Sequence, residues 1–280
     1  MEVDPGITKE NYRFLQQFAA SESGIIIEDE KPYFFESRLT PVLQRNNVAS
    51  INVLCSLLRL NAQPDLRREV RNSITTHETL FFRDKHPFDA LQTTLLPEIT
   101  AANSATRRIR IWSAAAASGQ EAYSLVMLLH EMNLADWNIS VLATDISDEI
   151  LEKARAGRFM RLETNRGLPA NYLLKYFDPA GLHWDVKPQI RNRIEFRQFD
   201  LRSNPVLLGQ FDLIFCRNVL IYFDQPTRSK ILKGLASCLQ PNGYLTLGAA
   251  EAVTDPTIGL QRRIVGPAVF YTRERRESGK

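Results

Sequence analysis

Three short segments carry side chains that could do chemistry together. The first is Ser113-Ala-Ala-Ala-Ala-Ser-Gly119-Gln-Glu121, directly after the apolar run Ile109–Trp112. Small residues such as Ala115 let the backbone approach a ligand closely, and a helix opens at once. The second is Thr144-Asp145, which ends the apolar run Ile139–Ala143 and puts a carboxylate 26 residues beyond Gly119. An acidic residue at such a strand end can accept both hydroxyls of a ribose. With one glycine, the loop is no pyrophosphate cradle, so a nucleoside without pyrophosphate fits better than a nicotinamide dinucleotide. The third is Phe211-Asp-Leu-Ile-Phe-Cys-Arg217-Asn218-Val219-Leu-Ile-Tyr222-Phe-Asp224. It places Asn218 to hydrogen-bond a ligand and Tyr222 to line the opening of the same cleft. Each feature also has a plainer reading: a packed strand–helix turn, an asparagine capping a turn, a core tyrosine.

The elements that must position these residues fall into two halves. From about Thr8 to Asn72 apolar residues recur at helical spacing: Tyr12, Leu15, Phe18 and Ala19, then Leu39, Val42 and Leu43, then Ile51, Leu54, Leu57 and Leu58. Pro41 and Pro64 suit first-turn or boundary positions, and Ile25–Ile27 is the one strand-like stretch. After the small polar stretch at residues 103–106, strands alternate with helices. Strands are expected at Ile109–Trp112, Ile139–Ala143, Phe211–Phe215, Tyr244–Leu247 and Ala268–Tyr271. Helices are expected at Gly119–Met132, Asp148–Ala156 and Thr227–Leu239. Alternation of this kind implies a mostly parallel sheet with right-handed crossovers. Residues 158–197 are long for a crossover and are expected to hold a small subdomain.

Composition narrows the classes. The chain has 280 residues, 44% hydrophobic and 24% charged, with net charge +3, ordinary for a globular protein and giving no sign of a nucleic-acid binder. No segment reaches the ~20 apolar residues that cross a bilayer. The acidic, turn-like start, residues 1–6, is no signal peptide. Cys55, Cys216 and Cys238 form no CxxC pair and suit reduced thiols in the cytoplasm. His77, His86, His130 and His183 lack metal-ligand spacing, so no metal is expected. Between residues 37 and 72 six arginines (Arg38, Arg45, Arg59, Arg67, Arg68, Arg71) face only Asp65 and Glu69. That is either a solvated helix face or a docking surface for an acidic partner.

Taken in order, five segments resemble the chemotaxis-receptor glutamate methyltransferases, the CheR family. They are Ile74-Thr-Thr-His77-Glu-Thr79-Leu-Phe-Phe-Arg83-Asp84, then Ile111-Trp-Ser-Ala-Ala through Gly119-Gln-Glu121, then Ala143-Thr-Asp145-Ile-Ser with Leu151–Arg155. Phe211 through Asp224 follows, and then Leu239-Gln-Pro-Asn-Gly243-Tyr-Leu with Gly248 and Glu251. The resemblance spans about residues 8–273. It implies an α/β architecture: an all-helical receptor-docking domain (1–85), a linker (86–107), and a Rossmann-like, seven-strand methyltransferase domain (108–280). A small antiparallel β-subdomain would be inserted at about 177–197.

The resemblance also implies S-adenosylmethionine (SAM) as cofactor, S-adenosylhomocysteine (SAH) as product, no metal, and a receptor glutamate carboxylate as acceptor. By position, His77, Thr79 and Arg83 would meet the methionine end of the cofactor or shape the active site. Ala115 would line the loop and Glu121 would meet the methionine amino group. Asp145 would bind the ribose, Asp200 and Leu201 would flank the adenine, and Asn218 and Val219 would close the pocket. Arg83 and Tyr222 would position the reacting groups. The sequence departs from the family pattern at His77, Ala117, Ser118 and Ala122, and the compact Asp178–Asp185 segment suggests independence from a C-terminal pentapeptide tether on the receptor. A monomer is expected. The competing readings are the same chemistry on a surface-sensing or biofilm receptor, and a SAM-binding adaptor with impaired catalysis. A nucleic-acid methyltransferase is disfavoured, since Arg217-Asn218-Val219-Leu220 stands where a base-methylating enzyme carries Asn/Asp-Pro-Pro-aromatic.

Overall fold

In the computed structural model, which describes residues 6–273 apart from 30, 133 and 135, the N-terminal part is four helices. They are α1 (Lys9–Ser23), α2 (Pro32–Arg45), α3 (Ile51–Leu60) and α4 (Pro64–Ile74). The hydroxyls of Thr8 and Ser50 accept N–H bonds at the starts of α1 and α3, Pro64 opens α4, and Gly24 ends α1 with φ 78°. Tyr12, Leu15, Phe18, Ala19, Leu39, Val42, Ile51, Leu54 and Leu58 form the core of this unit, as their spacing anticipates. Pro41 lies inside α2, not at its boundary; the carbonyl of Ser37 that loses its partner sits on the exposed face, where water can serve it. Ile25–Ile27 is not a strand. Ile25 and Ile27 are buried, and the Ile26 N–H donates to the Tyr222 carbonyl at 2.9 Å. The helical unit runs to Thr76 and includes Tyr222–Thr227. The acidic start before Gly6 lies outside the described residues.

The second unit begins at His77, so the boundary falls nine residues earlier than the sequence suggests. Residues 86–107 are no linker: α5 (His86–Ala90), one π-helical turn at Leu91–Leu95, and α6 (Leu96–Ala102) fill most of them. Phe88, Leu91, Leu95, Leu96 and Ile99 are buried in the core of this unit. The elements β1 (Arg108–Ala114), α7 (Gln120–Glu131), β2 (Asn138–Asp145) and α8 (Asp148–Ala156) follow. The inserted segment holds β3 (Arg158–Met160), α9 (Arg161–Thr164), α10 (Ala170–Tyr176), β4 (Phe177–Ala180), β5 (His183–Val186) and α11 (Pro188–Arg191). The chain closes with β6 (Ile194–Gln198), β7 (Phe211–Cys216), α12 (Gln225–Ser237), β8 (Leu239–Leu247), β9 (Leu260–Val265) and β10 (Ala268–Arg273).

Seven strands form one sheet in the order β6-β2-β1-β7-β8-β10-β9; the first five are parallel, and β10 and β9 add antiparallel. Ile109, Ile111, Trp112, Leu213, Ile214 and Phe215 are buried because parallel strands are covered on both faces, which is why they read as apolar runs. The separate three-stranded antiparallel sheet has the order β3-β5-β4. It therefore starts at Arg158 rather than 177, and Ile194–Gln198 pairs with β2 in the main sheet instead. Phe159 and Phe177 of this subdomain pack edge-on against Phe81, 5.0 and 5.7 Å between ring centres.

Candidate active site

Register puts the expected residues in one row. Ala114 pairs with Thr144 on one side and Cys216 on the other, and Asp145 pairs with Gln198. The residues at and just beyond each strand end, Ala115, Asp145, Arg217 and the 199–201 segment, therefore emerge side by side at the carboxyl edge of the sheet. That edge, where strand order reverses about β1, is where such folds bind ligands.

The loop after β1 is built on left-handed backbone: φ is 61° at Ala115, 48° at Ala117 and 92° at Gly119. Only Gly119 has no Cβ, and one there would lie 3.1 Å from the Ala154 Cβ and 3.2 Å from the Tyr123 ring. The bent loop turns the Ala117 N–H onto Asp145 Oδ2 at 2.9 Å, while the Ser147 N–H donates to Oδ1 at 3.0 Å. Asp145 is thus buried and held by backbone, with a lone pair left on each oxygen for a ligand hydroxyl. His77 Nε2 stands 3.8 Å from Asp145 Oδ1.

Glu121, in the first turn of α7, is buried beneath this loop. Its Oε1 accepts from the Ser113 hydroxyl at 2.7 Å and its Oε2 from Arg217 Nη1 at 3.2 Å. Burial pushes its carboxyl above the ordinary value, and Arg217, Ser113 and Arg83 pull it back. Arg217 also donates through Nη2 to the Arg83 carbonyl at 2.9 Å and to Asp84 Oδ2 at 2.7 Å. Phe82, Asp84 and Lys85 all have positive φ, so the turn that carries Arg83 is sharply wound.

The loop after β7 is organised by Glu251. Its two oxygens accept the N–H groups of Asn218 (2.8 Å), Leu220 (2.7 Å), Ile221 (3.3 Å) and Gly248 (2.6 Å). This holds Asn218 at φ 58°, and its Oδ1 is buried with no hydrogen-bond partner. Gly248 allows the approach, since a Cβ there would lie 2.7 Å from Asn218 Nδ2 and 2.8 Å from its N. A cavity of about 390 Å³ borders Asp84, Arg217, Thr246, Gly248, Glu251 and Tyr271 but none of the residues expected to hold the cofactor.

Asp200 is half-buried, and its carboxylate is clasped by its own neighbour Arg202 at 2.7–3.1 Å. Leu201, Val219, Thr79 and Arg83 are half-buried in the same unit. Arg83 Nη1 donates to the Glu78 carbonyl at 3.2 Å. Tyr222 belongs to the helical unit and packs against its core. Sequence reasoning assigned no role to Ser113, Asp84, Arg217 or Glu251. For Glu251 a local signal exists, an acidic residue three positions after a strand-ending glycine; for the others only the tertiary contacts reveal the role.

The donor set suits SAM: a backbone-held carboxylate for a ribose, a buried carboxylate for an ammonium, an arginine for a carboxylate, and a buried amide oxygen left without a partner after β7. Among the described residues no cluster of His, Cys, Asp and Glu could hold a metal ion. Burial pushes the Cys216 thiol well up, away from the thiolate form that nucleophilic chemistry needs.

The six arginines of residues 37–72 are less available than the sequence suggests. Arg38 donates to the Thr75 carbonyl at 2.6 Å, and Arg67 pairs with Glu22 at 2.7 Å over the Phe18 ring. Arg45, Arg59 and Arg68 pair with Glu69, Glu10 and Asp65 at 2.6, 3.4 and 2.9 Å but keep 58%, 36% and 49% of their side chains exposed.

The CheR methyltransferase all-alpha domain matches residues 10–75 and the CheR methyltransferase SAM binding domain matches residues 77–263. The chemotaxis protein methyltransferase Cher2 of Pseudomonas putida is 38% identical over 260 residues, 91% of this chain and 94% of its own. Chemotaxis protein methyltransferase 1 of Pseudomonas aeruginosa is 39% identical over 267 residues, 93% and 97% of the two chains. The chemotaxis protein methyltransferase of Vibrio parahaemolyticus is 40% identical over 270 residues, 95% and 97%. The chain belongs to the CheR methyltransferase family and is a SAM-dependent methyltransferase of chemotaxis.

Proposed function

We propose that this enzyme methylates glutamate side chains on the cytoplasmic helical bundle of a methyl-accepting chemoreceptor, forming glutamyl methyl esters. One observation carries the choice of a carboxylate acceptor: the carboxylates around the site are already committed. Asp145 is held by two backbone N–H groups, Glu121 by Ser113 and Arg217, Asp84 by Arg217, and Glu251 by four backbone N–H groups. Such a site suits a nucleophile that needs no general base, and a glutamate is ionised at neutral pH.

Bound SAM supplies a methyl group on a sulfonium, a leaving group that departs as a neutral thioether. The chain's own part is alignment and exclusion of water. Asp145 would fix the ribose, Glu121 and Arg83 the two ends of the methionine zwitterion, and Asn218 and Val219 the pocket wall. Asp200 and Leu201 would flank the adenine, with Arg202 offsetting the Asp200 charge. His77, Thr79 and Ala115 would complete the contacts, and Tyr222 would position the incoming glutamate. Removing the glutamate charge from an acidic bundle changes its packing, the physical basis of an adaptation signal. Of the arginines at 37–72, Arg45, Arg59 and Arg68 are the exposed ones available for docking on that bundle, and the short β4–β5 turn fits docking without a pentapeptide tether. The enzyme would work as a cytoplasmic monomer.

Methyl transfer from labelled SAM to a purified receptor cytoplasmic fragment tests this. Base-labile label, lost when the acceptor glutamates are changed to glutamine, is expected. Base-stable label would overturn the ester chemistry, and SAH binding without transfer to any receptor fragment would favour the adaptor reading.

A further inference from the structure

Arg217 is the most enclosed charge of the second unit's cleft: 2% of its side chain is exposed. It stands at the end of β7 over the Phe88 ring, 5.9 Å from its centre. A guanidinium so placed persists only when its charge is matched. Two carboxylates match it, Glu121 from α7 and Asp84 from the wound turn, and its Nη2 also holds the Arg83 carbonyl. Its Nε is buried with no partner, so all its hydrogen bonds go to these three groups.

We propose that Arg217 is a positioning residue that sets the spacing and charge of the receptor for the methionine zwitterion of SAM, acting through Glu121 and the Arg83 turn. This rests on the reading that Glu121 receives the ammonium and Arg83 the carboxylate. The spacing follows from rigidity. One planar guanidinium binds a carboxylate oxygen on one side of the zwitterion site and the backbone of the arginine that serves the other side. The charge follows from arithmetic. Glu121 paired with Arg217 alone would be neutral and would attract an ammonium little. Asp84 on the same guanidinium leaves the triad one net negative charge, which an incoming ammonium can neutralise. Burial presses Glu121 toward its neutral form, and the Arg217 charge beside it opposes this most strongly. Ser113 holds the other oxygen, so the lone pairs that remain face the same way in every molecule.

The discriminating ligand is 5′-methylthioadenosine, which keeps the nucleoside and sulfur of SAH but lacks its amino-acid portion. Calorimetric affinities for SAH and methylthioadenosine are compared in the full-length wild type, Arg217→Ala, Arg217→Lys, Asp84→Asn and Glu121→Gln. Arg217→Ala is expected to weaken SAH roughly 10- to 100-fold, the range of a hydrogen bond to a charged group, and to leave methylthioadenosine unchanged. Arg217→Lys, which keeps the charge but serves one acceptor at a time, is expected to fall between, and is the variant to read if the alanine does not fold. Asp84→Asn is expected to weaken SAH by a few-fold, again sparing methylthioadenosine. In a Glu121→Gln background the Arg217→Lys effect on SAH is expected to shrink, because the two act as one unit. An unchanged SAH-to-methylthioadenosine ratio in both Arg217→Lys and Asp84→Asn overturns the proposal. If Glu121→Gln also leaves that ratio unchanged, it is the reading of Glu121 as ammonium acceptor that fails.

Discussion

Asp145 shows how one side chain can serve both fold and ligand. Its oxygens anchor the loop through Ala117 and the start of α8 through Ser147 while remaining open to a ribose. Asp145→Ala is expected to lower SAH affinity at least about 100-fold, two charge-assisted hydrogen bonds' worth, in a protein that still folds; calorimetry and a thermal melt read the two separately. Glu251→Ala leaves four N–H groups without their acceptor. With the carboxylate half-buried, it is expected to lose about 2 kcal/mol of stability in urea and to release Asn218, weakening SAH as well. Glu121 should reveal itself through pH. Its folded value lies above the ordinary 4.5, so between the two values the ligand-free protein retains a proton that the unfolded chain has already given up. This contribution to stability is full below 4.5 and is lost as pH rises through the folded value. SAH affinity runs the other way over the same window, falling on acidification because an ammonium needs the ionised carboxylate. Calorimetry from pH 8 downward, with Glu121→Gln removing the dependence, checks it.

At the scale of elements, the arginines of the helical unit divide by what they hold. Arg38 on α2 clasps the Ser73 carbonyl in the last turn of α4 and, just beyond it, the Thr75 carbonyl and the Thr76 hydroxyl. Arg38→Ala is expected to destabilise that unit by about 1–3 kcal/mol in a denaturant titration. Arg59→Glu with Arg68→Glu, which sets glutamates against Glu10 and Asp65, should cost about 1 kcal/mol of stability, leave SAH binding unchanged and weaken receptor binding, an effect that added salt diminishes in the wild type. Unaltered receptor affinity in the double variant would remove these helices from the docking surface. The long apolar runs of β1, β2 and β7 were legible because parallel strands are covered on both faces. β6 and β9 were not, because edge strands with mixed side chains such as Ile194-Glu-Phe-Arg-Gln198 resemble loop until a neighbour pairs with them. The same holds for α5 and α6, whose register is broken by a π turn and Pro97.

For the whole molecule, the division into two units separates the candidate functions. His77, Thr79, Arg83, Ala115, Glu121, Asp145, Asp200, Leu201, Asn218 and Val219 all lie in the second unit, whereas Tyr222 and the exposed arginines lie in the helical one. A chain beginning at residue 77 is therefore expected to bind SAH within a few-fold of full length yet to transfer no methyl group to a receptor fragment. Loss of SAH binding by that folded fragment would show that the helical unit contributes to the cofactor site.

What the sequence determined by itself was the set of strand ends and the residue types placed on them. A small-residue loop after one apolar run, an aspartate after the next and Arg-Asn after a third are local patterns, set by strand covering and turn chemistry. The matching segments likewise stood in the family's order. Tertiary structure alone decided which charges meet. Arg217 lies 96 residues from Glu121 and 133 from Asp84, and Glu251 lies 33 from Asn218. Such pairings depend on strand register and backbone direction at loop ends, which no local pattern encodes. That is why Asn218 could be anticipated and Glu251 carries a local mark after Gly248, while the guanidinium of Arg217 and the carboxylates it joins could not be foreseen.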